Sequence, residues 1–307
     1  MRVRRTLTAL AILIAAALTA AFCLRPAFAA SWAEAISRPA LRALSQLTER
    51  LPFALLEWGV LAAILALFGA ACFRWGRHGF RSAAIQLARR LEGCVLTVAI
   101  AFSALWLPLY HTSIRPTCAA TDAQLSAACE NLIHALNESS IDFSRAPDDL
   151  PAKVIDFPFW MQLFDITGFF SFPTGEALVS PELPDCALPF VAVHERMHAQ
   201  GYAGEGAANI AAWEDCLERG GSYADSARVW ALKYSMDALR DRDSAAYAAC
   251  RQLMSEATAA NYHAIGGGTR SRAINPGMQA AFTALGVGEV ASDYEILAMY
   301  IASQIAI

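Results

Sequence analysis

The chain has 307 residues, of which 56% are apolar and only 17% charged, against about 25% charged in ordinary soluble domains. That deficit points to membrane spans, in a chain with room for one or two domains. Residues 1–115 hold 13 Arg, no Lys and four acids, a balance of +9, and residues 116–307 carry −13; an acidic second part without a basic cluster argues against nucleic acid as a partner.

The first apolar run covers about residues 6–29, after Arg2, Arg4 and Arg5. It reads as an uncleaved span, although a charged start, an apolar centre and Ala27-Phe28-Ala29-Ala30 also describe a cleavable signal peptide. Two further runs, about 51–73 and 93–111, are long enough to cross a bilayer. Arg74, Arg77, Arg81, Arg89 and Arg90 crowd the segment between them, which reads as a loop. With the N-terminal Arg cluster they place both regions on the cytoplasmic side. Residues 31–50 then fall outside. Three spans make a membrane domain over 1–112 and deliver residues 113–307 to the outer face, as an integral membrane protein with the lipid bilayer as one partner. Glu57 lies near the outer end of span two, either reaching the headgroups or serving a function. Cys23, Cys72 and Cys94 read as packing residues.

Beyond residue 113 the pattern is mainly α, with few strand signals. Ala120 to Leu136 is an amphipathic helix whose stripe is Leu125, Ala128, Cys129, Leu132, Ile133 and Leu136. Residues 142–158 read as a loop, and the aromatic segment Phe157 to Phe164 as core, a substrate groove or bilayer surface being the alternatives. Pro173-Thr174-Gly175 is a turn joined to a short extended piece. Helices follow over Leu188 to Gly201, from Glu205 to before Gly220-Gly221, over Ser222 to Leu239 and over Ser244 to Tyr262. Two more follow, one from Asn275-Pro276 and one from Asp293 to Ile307. If this part is exported, Cys118, Cys129, Cys186, Cys216 and Cys250 allow up to two disulfides, Cys118 with Cys129 first; otherwise all five are reduced and buried.

The chemistry concentrates in Val191-Ala-Val-His194-Glu195-Arg-Met-His198. On a helix, His194 and His198 share one face and can hold one Zn²⁺. Glu195 is then placed as a general base towards water activated by the metal. A catalytic zinc takes three protein ligands and leaves one position open. Gly204 stands where a third His would complete HExxHxxGxxH. Glu205 is the leading third ligand, with Glu214 and Asp215 as fallbacks, and Asn209 four residues on can hydrogen-bond a ligand from behind. Tyr202, Tyr234, Tyr262 and His263 are possible oxyanion donors, each more naturally structural.

The chain resembles the bacterial membrane proteins grouped as domain of unknown function 3810. The matching pieces are Leu51-Pro-Phe-Ala-Leu-Leu-Glu57, Pro173-Thr-Gly-Glu-Ala177, Pro189 to Ala203 around the histidines, Glu205 with Ala208-Asn209, and Gly286-Val with Ser292-Asp-Tyr-Glu-Ile-Leu. The resemblance implies three spans followed by a mostly helical, zincin-like metallopeptidase domain, and names no substrate. Ala207 departs from the acid that often precedes Ala-Asn in the family. The expected function is peptide-bond hydrolysis by a membrane-anchored zinc metallopeptidase acting on a peptide or protein substrate. The alternatives are an inactive zincin-like membrane binding or sensor module, and a purely structural zinc.

Overall fold

The structure is a computed structural model. It describes residues 2–112, 119–139, 149–164, 166–267 and 290–305, with Phe143 and Pro147. The expected helix at Asn275-Pro276, the Gly286 stretch and Cys118 lie outside the described residues. The chain forms two compact units: Met1–Thr112 with Ile155–Phe157 and Phe170–Glu176, and the remainder.

The first unit is helical. Helix α1 (Arg2–Leu24) ends at Arg25-Pro26, where the chain bends by 115° instead of running straight to residue 29. Proline at the next helical position removes a backbone donor, so the helix restarts in a new direction as α2 (Pro26–Trp32). A π-turn (Ala33–Ser37) leads into α3 (Arg38–Thr48). Helix α4 (Leu55–His78) and helix α5 (Phe80–Ala101) carry the other two apolar runs. A second π-turn (Phe102–Trp106) continues α5 into α6 (Leu107–Thr112). Leu55–His78 and Phe80–Tyr110 are each long and apolar enough to cross a membrane, and the bent N-terminal pair brings the count to as many as three. These helices are consistent with a membrane protein.

The Arg-rich segment between spans two and three is helix rather than loop. Arg, Ala, Gln and Leu are good helix formers, and only Gly79, at φ +79°, interrupts them. Thr8 Oγ1 donates to Glu92 at 3.1 Å and Thr19 Oγ1 to Ser103 at 3.3 Å. The two pairs are separated by the same 84 residues, so α1 runs parallel to the α5 rod. Both π-turns precede a proline in the next turn, Pro39 or Pro108. Pro108 cannot donate to the carbonyl four residues earlier. That carbonyl, Ala104 O, accepts instead from Trp32 Nε1 at 2.7 Å and Ser37 Oγ at 3.3 Å.

Two buried carboxylates tie this unit together. Glu176 accepts from the backbone N–H of Leu55 at 2.7 Å and of Leu56 at 2.8 Å, capping α4. Glu57 accepts from Asp156 N at 2.8 Å and Phe157 N at 3.1 Å, so its role is to hold that strand of chain. Trp106 stacks against Phe170 and Phe172, with centroids 5.1 and 6.5 Å away. Cys23, Cys72 and Cys94 are exposed on the helices rather than packed inside.

The second unit is built on α7 (Asp122–Glu138), capped by a Thr121–Gln124 box and burying the six residues expected of its stripe. It includes β1 (Lys153–Val154), α8 (Phe159–Phe164), β2 (Gly168–Ser171, whose last two residues belong to the first unit) and β3 (Glu176–Val179, from Ala177). The three strands form one sheet in the order β1-β3-β2, with β1 parallel to β3. Core placement of the aromatic segment holds for Met161 but not for Phe159 and Leu163, which are 69% and 74% exposed.

Helices α9 (Leu188–Ala199), α10 (Glu205–Arg219), α11 (Gly221–Arg242), α12 (Ser244–Leu253), α13 (Glu256–Ala264) and α14 (Val290–Ser303) complete the unit. The single helix expected over Ser244 to Tyr262 is two. Asn137 on α7 binds the break, donating to Leu253 O and accepting from Ser255 N and Thr258 Oγ1. Ser255 caps the second piece. Cys129, Cys186, Cys216 and Cys250 are free thiols and buried, so Cys129 is not in the expected disulfide. Its thiol faces Cys250.

Candidate metal centre

Helix α9 is apolar and buried over most of its length, with proline in its first turn. Helix α11 clamps its start. Ser226 Oγ accepts from Phe190 N at 3.0 Å and donates to Cys186 O at 2.7 Å, and Trp230 Nε1 donates to Ala187 O at 3.3 Å. Phe190 lies between Trp230 and His194, with centroids 6.1 and 6.3 Å away.

Gly201, at φ +100°, ends α9. Its N–H donates to His198 O, and Tyr202 N–H to Met197 O. A side chain with a β-carbon adopts that φ only with strain, so glycine lets the chain reverse quickly enough for α10 to begin at Glu205. Glu205 therefore stands in the first turn of α10, where the helix dipole favours a carboxylate.

The reversal brings three groups together. His194 Nε2 is 3.1 Å from Glu205 Oε2 and 3.1 Å from His198 Nε2, and His198 Nε2 is 3.6 Å from Glu205 Oε1. Four ligands about 2.0–2.1 Å from a tetrahedral zinc lie about 3.3 Å from one another, so the spacing of these donors fits one small cation. Among the described residues they are the one such group of His, Cys, Asp or Glu side chains. His198 Nδ1 donates to Tyr202 O at 2.6 Å, which leaves Nε2 with its lone pair towards the group.

Behind His194, its Nδ1 and the Nδ2 of buried Asn209 have no hydrogen-bond partner. Asn209 nevertheless lies near enough to His194 to raise its pKa. Turning the Asn209 carboxamide over offers its oxygen to His194 Nδ1–H, the orientation a metal-binding imidazole needs.

The electrostatics match. Burial pushes the Glu205 carboxyl up, but His198 and His194 outweigh it and hold the pKa at about 2. Burial pushes His194 down, and the hydrogen bond and charge of Glu205 turn that into a net rise. Burial takes His198 to about 4. These shifts describe one negative group and two imidazoles competing for positive charge between them.

Glu195 is buried on α9 and turned towards β2. A β-carbon on Gly168 would lie 2.5 Å from Glu195 Oε1 and 2.7 Å from Val191 Cγ1. Burial is the main reason its pKa rises to about 8.

The fallback ligands are committed elsewhere. Glu214 accepts from Tyr300 Oη at 2.6 Å, and Asp215 pairs with Arg219. Tyr202 contributes its carbonyl oxygen to His198. Tyr234 packs at a tilt against Trp230, Tyr262 is fully buried in the core, and His263 contacts Gly267 O and Arg251. Sequence reasoning missed Gly168, Ser226 and Trp230. Ser226 and Trp230 share a face of α11 by their spacing of four, but nothing local ties them to the histidines.

The arrangement is a group of two imidazoles and a carboxylate that could hold a single metal ion, with the buried acid Glu195 next to His194 in the chain. The sequence profile of a family described as "Protein of unknown function (DUF3810)" matches residues 113–277, and the chain belongs to that family. No curated protein and no solved structure matches the chain significantly.

Proposed function

We propose that this protein is a membrane-anchored zinc metallopeptidase whose second unit lies at the outer face of a bacterial cytoplasmic membrane. The observation that carries the reading is the triangle of His194 Nε2, His198 Nε2 and Glu205 oxygens, 3.1 to 3.6 Å on a side, one residue from a buried acid. His194, His198 and Glu205 would hold the ion. Bound there, zinc would supply Lewis acidity, polarising a carbonyl oxygen and lowering the pKa of water.

The chain's own groups supply the rest. Glu195 is held dry, which makes its carboxylate a stronger base than an exposed one; burial raises its pKa to about 8, with His194 lowering it and Glu205 raising it. Glu195 takes a proton at its carboxylate oxygen and returns it to the leaving amine. Tyr202 O sets the tautomer of His198, and Asn209 orients His194. The Arg-rich ends of the first unit support the cytoplasmic placement of those ends and the opposite placement of the catalytic unit.

The test uses the full chain in detergent. Stoichiometric zinc and chelator-sensitive cleavage of a peptide library are expected, with Glu195→Gln abolishing cleavage while zinc is retained. Stoichiometric zinc without cleavage of any peptide overturns the peptidase reading, and an absence of zinc overturns the metal site.

A further inference from the structure

The α4–α5 hairpin contains an open pocket of about 740 Å³ that the metal chemistry does not use. Arg74 and His78 line it from α4, and Arg81, Gln86, Arg89 and Arg90 from α5. On α5 the lining residues recur at intervals of three to four with their immediate neighbours, so they form one stripe facing α4. No Asp or Glu occurs between residues 58 and 91.

The pocket lies at a membrane-facing place. Only 6% of the apolar window of α4 is buried by protein, so the rest of that surface requires lipid. Phe73, Trp75 and Phe80 are 59% to 66% exposed around the turn. Trp75 and Phe80 pair with centroids 5.5 Å apart, and Arg77 lies over Phe73. Aromatic rings and Arg together mark the headgroup layer. Arg90 stands about 16 Å along α5 from the Gly79 turn, roughly two and a half turns beyond Arg81. The pocket thus carries positive charge from the headgroup layer down towards the acyl chains. The parallel packing of α1 and α5 brings the Arg-bearing start of α1 to the same end.

We propose that this pocket binds the phosphodiester headgroup of an anionic phospholipid, with its acyl chains along the exposed face of α4. Several guanidinium groups at different depths suit a phosphate joined to chains that continue into the bilayer. A freely diffusing phosphate has no use for the apolar surface below. The proposal is independent of the metal centre.

The test is the relative association of spin-labelled phosphatidylglycerol and phosphatidylcholine with the full chain in phosphatidylcholine vesicles. A preference for phosphatidylglycerol is expected. Each of Arg81→Gln and Arg89→Gln should lower it about fivefold, and Arg74→Gln/Arg81→Gln/Arg89→Gln should remove it. Arg38→Gln/Arg42→Gln, outside the pocket, should leave it unchanged. The single variants keep the test decisive if the triple variant misfolds. Equal association of the two lipids, or an equal loss in the α3 control, overturns the site. Complete displacement by inorganic phosphate overturns the lipid assignment.

Discussion

Glu195 Oε1 occupies space that a β-carbon on Gly168 would need, with 2.5 Å between them. A strand residue with no side chain thus sets where the proposed general base can lie. Gly168→Ala should push the Glu195 carboxylate aside at a cost of about 1–3 kcal/mol in stability. Zinc content should stay at the wild-type level while kcat falls at least about tenfold and KM moves little, as expected when a base is displaced by a fraction of an ångström. Wild-type kcat in this variant would show that the close approach has no catalytic consequence.

Ligand identity is tested by metal affinity rather than activity. Glu205→Ala should weaken zinc binding by more than the roughly 10–100-fold typical of a lost supporting contact, and Asn209→Ala by about that amount. Glu214→Ala and Asp215→Ala should leave affinity unchanged, because those carboxylates bind Tyr300 and Arg219. Competition titration with a chromogenic chelator reads all four. Loss of zinc in Glu214→Ala with retention in Glu205→Ala would reverse the assignment.

The pH dependence has a definite sign. Zinc must displace the proton that Glu205 stabilises on His194, whose pKa is raised above the usual 6.5. Apparent zinc affinity should rise with pH until it passes that raised value, and fall about tenfold per unit below it. In Glu205→Gln the imidazole loses the partner that raises its pKa, so the bend should move to lower pH although the plateau affinity is also lower. Isothermal titration across pH in buffers of matched ionic strength measures both. A bend that stays in place would mean that Glu205 does not set the His194 proton.

The grouping of His194, His198 and Glu205 was legible because its signal is local. His194 and His198 are four apart, the sequence leading into them is apolar, and Glu205 and Asn209 are again four apart after a glycine. Helical geometry alone then decides which side chains share a face. The α7 stripe was legible for the same reason. The extra break between Leu253 and Glu256 was not, because Asn137 creates it from more than a hundred residues away. The Arg-rich hairpin was misread as a loop because charge density masked good helix propensity on both sides of Gly79.

The sequence by itself determined the helical periodicity, the apolar runs, the asymmetry of charge and the four-residue spacing of His194 and His198. Those properties depend on residues within a turn or two of one another. Tertiary structure alone decided that Glu205 rather than Glu214 or Asp215 meets the histidines, that Gly168 faces Glu195, and that Glu176 caps the helix beginning at Leu55. The reason is that a buried carboxylate must find its donors wherever the fold places them, since an unpaired one costs several kcal/mol. Those donors can come from any part of the chain.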